Sequence, residues 1–351
     1  MTTLLVDGTH LAVVMLWTGV VLALSMLAAV IIERAAFAYE ETHGRALAQR
    51  YTPLIARALE GDRSACEALV ASPARHGLRL AWLLVPPLIA NRDPGHVART
   101  RQLFEALSLV SLVDRYLRSP FWWRRALALR AIGLLQMPGY TATAVAALDD
   151  PNEDVRGAAL DALADLRDPE SLPAIIARIH DVSLQRGRRG AVLKAFGAQC
   201  EPILLEWSQR QPEQRVNYAL ALGICGTARS RPLLCRWTND PRPEVRANAL
   251  LALAHIGLDD GSAPFALAAL DSSEESVREM AAFALGGWTG AGDAAPRLAR
   301  HLDDTWVVAL RAARSLQSMH EPGLTQLRAY ATRPGTAGRL ARQMVWEARA
   351  A

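Results

Sequence analysis

Six arginines stand in one repeated slot. Arg125, Arg156, Arg189, Arg215, Arg246 and Arg278 follow one another at 31, 33, 26, 31 and 32 residues. A guanidinium offers a planar fork of donors to a carboxylate, and Asp154, Glu244 and Glu275 stand just before three of the slots. A position repeated this way serves the contact between neighbouring units first, so the six are predicted to be structural. Arg186-Gly187-Arg188-Arg189-Gly190 is a basic, glycine-flanked stretch with donors for phosphate. No P-loop pattern surrounds it, and a solvated turn opening a helix explains the same charges. Phe121-Trp122-Trp123-Arg124-Arg125 places three aromatics in succession, which one helix cannot turn toward a single core. Packing on the preceding helix, or a place at a bilayer interface, would account for some of them. Trp and Arg are also the residues enriched at interface hot spots. Trp122, Trp123, Arg124, Arg186 and Arg188 are therefore the candidate partner-binding residues.

Little else points to chemistry. The histidines are scattered along the chain, and His255, beside Ile256, reads as a core or groove residue. Cysteines 66, 200, 225 and 235 form no CxxC pair, which predicts reduced, buried thiols and neither a metal site nor a disulfide framework. With no nucleophile–base pair and no glycine-rich nucleotide loop, the expectation is a protein without catalytic, metal or cofactor sites.

The arginine slot belongs to a longer unit. Asp149 to His180 reads as a helical hairpin. Asp149 or Asp150 suits the cap and Pro151 the first turn. Val155, Ala159, Leu160 and Leu163 then share one helical face, and Leu172, Ile175, Ile176 and Ile179 line a second helix after Arg167-Asp168-Pro169. Neither helix buries its stripe alone. The clearest copies are DPNEDVRGAALDALADL, DPRPEVRANALLALAHIG and SSEESVREMAAFALGGW, and Ala309 takes the next slot without an arginine. A period near 31 residues, two helices long, is the mark of an α-solenoid. The 189-to-215 interval is short and lacks the Asp-Pro, which suggests a bend or break in the stack.

These units resemble HEAT repeats, most closely the short kind of the phycobilisome-lyase-type HEAT-like proteins. The D-P-x-x-x-V-R-x-x-A-x-x-A-L-x-x-[IL]-G pattern is clearest in Asp240–Gly257, and the resemblance covers residues 119–333. It implies an all-α fold in which the arginine slot makes inter-repeat contacts. It is specific for fold and broad for function, because the family includes scaffolds, adaptors and some enzymes.

Residues 1–34 are predicted as a transmembrane anchor. Leu11–Ile32 carries no charge over 22 residues, about 33 Å of helix against a hydrocarbon core of about 30 Å. Arg34, Arg45, Arg50 and Arg57 follow it, while only Asp7 and His10 precede it. The positive-inside rule then sets the amino terminus outside and the repeats in the cytoplasm. Residues 35–118 read as irregular or degenerate helical repeats, with Leu78–Ala90 a buried helix stopping at Pro86-Pro87 and Val97–Leu117 one long amphipathic helix. Residues 334–351, with Arg339, Arg342 and Arg349 around Leu340, Met344 and Trp346, read as a basic capping helix.

The whole predicts an all-α chain, a solenoid of HEAT-like hairpins preceded by a single transmembrane helix. The function it suggests is a scaffold at the inner membrane that binds a membrane-associated protein. From Ala98 to Arg130 seven arginines face only Glu105 and Asp114, a balance suited to anionic lipid or an acidic partner. The resemblance also allows a bilin lyase or isomerase, or a HEAT-like nucleic-acid-binding protein. A net charge of +4 over 351 residues, without a concentrated basic face, speaks against nucleic acid.

Overall fold

The computed structural model describes residues 45–73, 76–178, 180 and 186–350. All regular structure among them is helical, and they divide into two compact units, one up to Arg115 and one from Tyr116 to Ala351. Leu11–Ile32 lies outside the described residues. Among those described, no helix is long and apolar enough to cross a membrane.

In the first unit, α1 (45–59) and α2 (Arg63–Val70) form a short hairpin. Asp62 caps α2, accepting from the Ser64 and Ala65 amides at 2.9 and 3.2 Å. Helix α3 (Gly77–Ala90) does not stop at its prolines: Pro86 and Pro87 lie inside it. Leu80, Leu84 and Leu88 are all buried at four-residue spacing, so side-chain packing holds the turn where the proline nitrogens donate nothing. The predicted long helix is two, α4 (Pro94–Ala106) and α5 (Val110–Leu117). Ser108 takes a left-handed backbone between them, and the Leu109 amide closes onto the Phe104 carbonyl at 3.1 Å. Burial of Leu109 secures this stop, which lacks the glycine that would have announced it.

The second unit is a stack of hairpins. Its first helices are α6 (Trp122–Leu134), α8 (Glu153–Leu166), α10 (Arg186–Phe196), α12 (Arg215–Cys225), α14 (Pro243–Ile256), α16 (Glu275–Leu285) and α18 (Trp306–Ser318). The second helices are α7 (Thr141–Ala146), α9 (Leu172–Ala177), α11 (Glu201–Arg210), α13 (Arg231–Trp237), α15 (Ala263–Ala269), α17 (Ala291–Arg300) and α19 (Glu321–Ala331). Most second helices are entered through a single 3-10 turn or a tight bend. In α8 the buried face is Val155, Ala159, Leu160 and Leu163, and in α9 it is Leu172, Ile175 and Ile176. The α8 cap differs from expectation. Asn152 caps the helix, accepting from the Asp154 and Val155 amides at 3.0 and 3.3 Å, while Asp150 holds the Asn152 amide one turn earlier at 2.9 Å. The helix ends at Arg167, in the left-handed region at φ 53°.

The first helices pack on one another in a continuous row, α6 on α8 through to α18 on α20 (Gly335–Ala350). Small residues make this possible. A Cβ on Gly133, Gly223 or Gly286 would stand 2.8, 3.0 or 3.1 Å from the Cα of Ala162, Ala252 or Ser315 in the next helix. Each glycine lies eight residues after its slot, and each neighbour six after the next. Because helix starts meet starts and ends meet ends, the row helices are parallel.

The slot arginines hold the starts together. Arg125 places Nε and Nη2 on the two oxygens of Asp150, both at 2.8 Å, and gives Nη1 to the Ser119 and Pro120 carbonyls. Arg278 does the same with Asp304 and the Ser272 and Ser273 carbonyls. Arg215 reaches Asp240 at 2.8 Å. Arg156 and Arg246 give Nη1 to the Asp150/Pro151 and Asp240/Pro241 carbonyls. Arg189 occupies the slot in α10.

Where the Asp-Pro is missing, other groups tie the stack and the row continues through α10 and α12. The buried carboxylate of Glu201 accepts from the Thr227 amide and hydroxyl at 2.9 and 2.8 Å and from the Ser230 hydroxyl. Arg242 reaches back to the Pro212 and Glu213 carbonyls at 2.8 and 3.1 Å. At the carboxyl end, α20 buries Ala337, Leu340, Ala341 and Met344 and leaves Trp346 exposed. Arg342 donates to the Ala331 carbonyl at the end of α19 at 2.6 Å.

Candidate protein-binding surface

Since the row helices are parallel, their first turns lie along one edge of the stack. The Phe-Trp-Trp-Arg stretch opens α6 on this edge. Phe121, Trp122 and Trp123 are 53%, 45% and 45% exposed, large values for side chains this apolar. Arg124 sits among them, its guanidinium carbon 4.9, 5.0 and 5.5 Å from the ring centres of Trp123, Phe121 and Tyr116. Trp123 meets Tyr116 edge-on and Phe121 at a tilt, each at 6.4 Å between centroids. The rings shield the Arg124 Nε from solvent, and it makes no hydrogen bond. Cation–π attraction holds the cluster in one arrangement, so less side-chain freedom remains to be lost on contact with a partner.

Trp122 and Trp123 stand in the first turn of α6, the first row helix of the second unit. The same positions in α8, α14 and α16 carry Glu153, Pro243 and Glu275. In α18, three residues before the slot, stands Trp306, 61% exposed, with Val307 beside it. Trp306 was not among the predicted binding residues. Its signal was available: it aligns with Trp122 when the slots are superposed.

The structure does not bring all five predicted residues into one place. Helix α8 packs between α6 and α10, so Arg188 is two row positions beyond Trp122, Trp123 and Arg124. Arg188 turns inward across the row. Its Nη1 stands 3.5 Å from Asp161 on α8, and its guanidinium lies against Gly157, where a Cβ would be 2.9 Å from Cζ. Burial pushes the Asp161 carboxyl up, Arg188 and Arg130 draw it back, and Asp165 opposes them, leaving it above the usual range. Arg188 thus compensates a neighbouring repeat's carboxylate. Arg186 opens α10. The face of the row carries similar links further along: Arg311 meets Glu279 at 3.0 Å and covers the Phe283 ring at 4.9 Å, and His255 meets the same ring edge-on.

Among the described residues no group of His, Cys, Asp or Glu is placed to hold a metal ion. Cys200 and Cys225 are buried together between hairpins. Hydrogen bonding to Cys200 and burial push the Cys225 thiol far up, which keeps it protonated and unreactive.

No curated protein sequence matches the chain. Among solved structures it is similar to human deoxyhypusine hydroxylase in complex with glycerol, at 20% identity over 85% of this chain and 98% of that one, with a TM-score of 0.29. It is also similar to the complex of CpcE and CpcF of phycocyanin lyase from Nostoc, at 18% identity over 68% and 94%, TM-score 0.33. Kap121p bound to Ste12p matches at 12% identity over 85% of this chain and 45% of that one, TM-score 0.39. The family assignment rests on the repeats: the HEAT-repeat profile matches residues 109–195, 201–286 and 238–317, together more than half of the chain. The chain belongs to the HEAT-repeat family.

Proposed function

We propose that this chain is a membrane-anchored HEAT-repeat scaffold, without catalysis of its own, that binds a membrane-associated protein along the edge formed by the first turns of its row helices. The observation that carries this reading is the exposed Phe121–Trp122–Trp123 cluster around Arg124. Aromatic and arginine side chains dominate the energetics of protein interfaces, and a pre-ordered cluster loses little entropy on binding. Leu11–Ile32 supplies the anchor in this proposal, and the arginines that follow it set the repeats on the cytoplasmic side of an inner membrane. Tethering raises the effective concentration of a partner in the same membrane, so an interface of modest area suffices.

The test is affinity capture from native membranes after chemical cross-linking, with wild type and with Trp122→Ala/Trp123→Ala. A reproducible protein partner that the double variant loses, at unchanged melting temperature, supports the proposal. A partner retained by the double variant removes the aromatic edge as its site.

A further inference from the structure

Arg246 lacks the carboxylate that Arg125, Arg215 and Arg278 hold. Asp150 and Asp240 each stand six residues before the next slot, and each does two things. It accepts the amide two residues on, at 2.9 and 3.1 Å, and it receives the slot arginine of the preceding hairpin. Ser272 holds the equivalent position before Arg278, and its carbonyl accepts from Arg278 as the Asp150 carbonyl accepts from Arg156. The Ser272 hydroxyl keeps the first role, accepting the Glu274 amide at 3.2 Å. It is too short for the second. Arg246 therefore spends Nη1 on two carbonyls, while Nε and Nη2, the nitrogens that Arg125 and Arg278 commit to Asp150 and Asp304, have no partner among the described residues.

Arg246 lines a cleft of about 500 Å³ and is its one charged lining residue. Phe265, 36% exposed, and Val277 give the cleft an apolar wall, and Asn239 and Ser272 add polar groups. A guanidinium fork beside an apolar wall selects a carboxylate with an apolar neighbour. The cleft lies between the starts of α14 and α16, on the same edge as Trp122 and Trp306.

We propose that the Arg246 cleft binds an acidic side chain of a partner protein, flanked by an apolar residue, in the place that Asp150 and Asp304 take at the equivalent arginines. The inference rests on the scaffold reading above and adds the chemistry of what is recognised. Its occupant is identified by the ladder itself: two of the other slot arginines hold an Asp carboxylate bidentately.

Fluorescence anisotropy tests it with the full-length chain in detergent micelles. The probes are a fluorescein-labelled Gly-Ser-Leu-Asp-Phe-Ser-Gly amide and the same peptide with Asn for Asp. The Asp peptide is expected to bind at least tenfold tighter than the Asn peptide. Arg246→Gln should abolish the difference. So should Ser272→Asp, which supplies the missing carboxylate from within on a backbone that already accepts Asp at 150 and 240, and its melting temperature should equal or exceed that of wild type. Equal binding of both peptides, no binding of the Asp peptide at millimolar concentration, or an unaffected Ser272→Asp variant would overturn the proposal. Benzoate binding as tightly as the peptide would overturn the protein source and assign the cleft to free aromatic acids. Loss of peptide discrimination with partner capture intact removes the cleft alone; intact discrimination with no partner captured removes the scaffold reading alone.

Discussion

Gly223 lies against Ala252 so closely that a Cβ on the glycine would stand 3.0 Å from the alanine Cα and 3.3 Å from its Cβ. The contact is between backbones of successive row helices, so neither side can yield by rotating a side chain. Gly223→Ala is expected to destabilise the array by about 1–3 kcal/mol through overpacking. Gly187, with nothing within 4 Å of its added Cβ and a place in α10, gives the opposite sign: Gly187→Ala should stabilise by about 0.5–1 kcal/mol through helix propensity. Thermal or urea unfolding of the two variants checks both.

The arginine slots are equivalent in sequence but not in energy. Arg125→Gln leaves Asp150 shielded and without its fork, at an expected cost of about 1–3 kcal/mol. Arg246→Gln breaks only the two bonds to carbonyls and strands no carboxylate, so about 1 kcal/mol or less is expected. Equal losses in unfolding experiments would contradict the asymmetry.

The ladder also sets the acid limit of the fold. The Arg278 fork holds the Asp304 carboxyl well below the usual range. Burial pushes Asp150 and Asp240 up, but the forks of Arg125 for one and of Arg242 and Arg215 for the other more than offset it, and both end below. A carboxyl with a depressed folded pKa contributes stability above its unfolded value, about 4, and loses it as pH falls toward the folded value. Melting temperature should therefore hold steady above about pH 5 and drop steeply below about pH 4. Asp304→Asn should start lower at neutral pH and drop less steeply.

Thiol reactivity should separate the cysteines. Cys66 is half-buried, whereas Cys200, Cys225 and Cys235 are buried. A bulky aromatic disulfide reagent is expected to label Cys66 in the native protein and the other three only after denaturation. Rapid native labelling of Cys225 would contradict the packing described between α12 and the turn at Cys200.

Much of this fold was legible because a repeat displays its own equivalences. The α8 stripe Val155, Ala159, Leu160, Leu163 and the arginine slots could be read from period alone. The stops were harder. Ser108 breaks a helix from a left-handed backbone with no glycine to mark it, and α3 runs through two prolines because Leu84 and Leu88 are buried beneath them. Both are tertiary effects that local propensity does not contain. In the candidate surface, the aromatic cluster at Trp122 stood out by composition. Arg188 looked the same as an exposed basic residue until α8 placed Asp161 and Gly157 under it. The Arg246 cleft was invisible for a different reason: its signal is a missing aspartate, and Ser272 conceals the loss by keeping the turn.

The most direct measurement is site-specific photo-cross-linking in intact membranes, with a photoreactive phenylalanine analogue in place of Trp122. The control places the analogue at Glu170, an exposed residue at the opposite edge of the row. The account predicts one dominant protein adduct from position 122 and none from position 170. Adducts of equal yield from both positions, or only lipid captured at position 122, would contradict it.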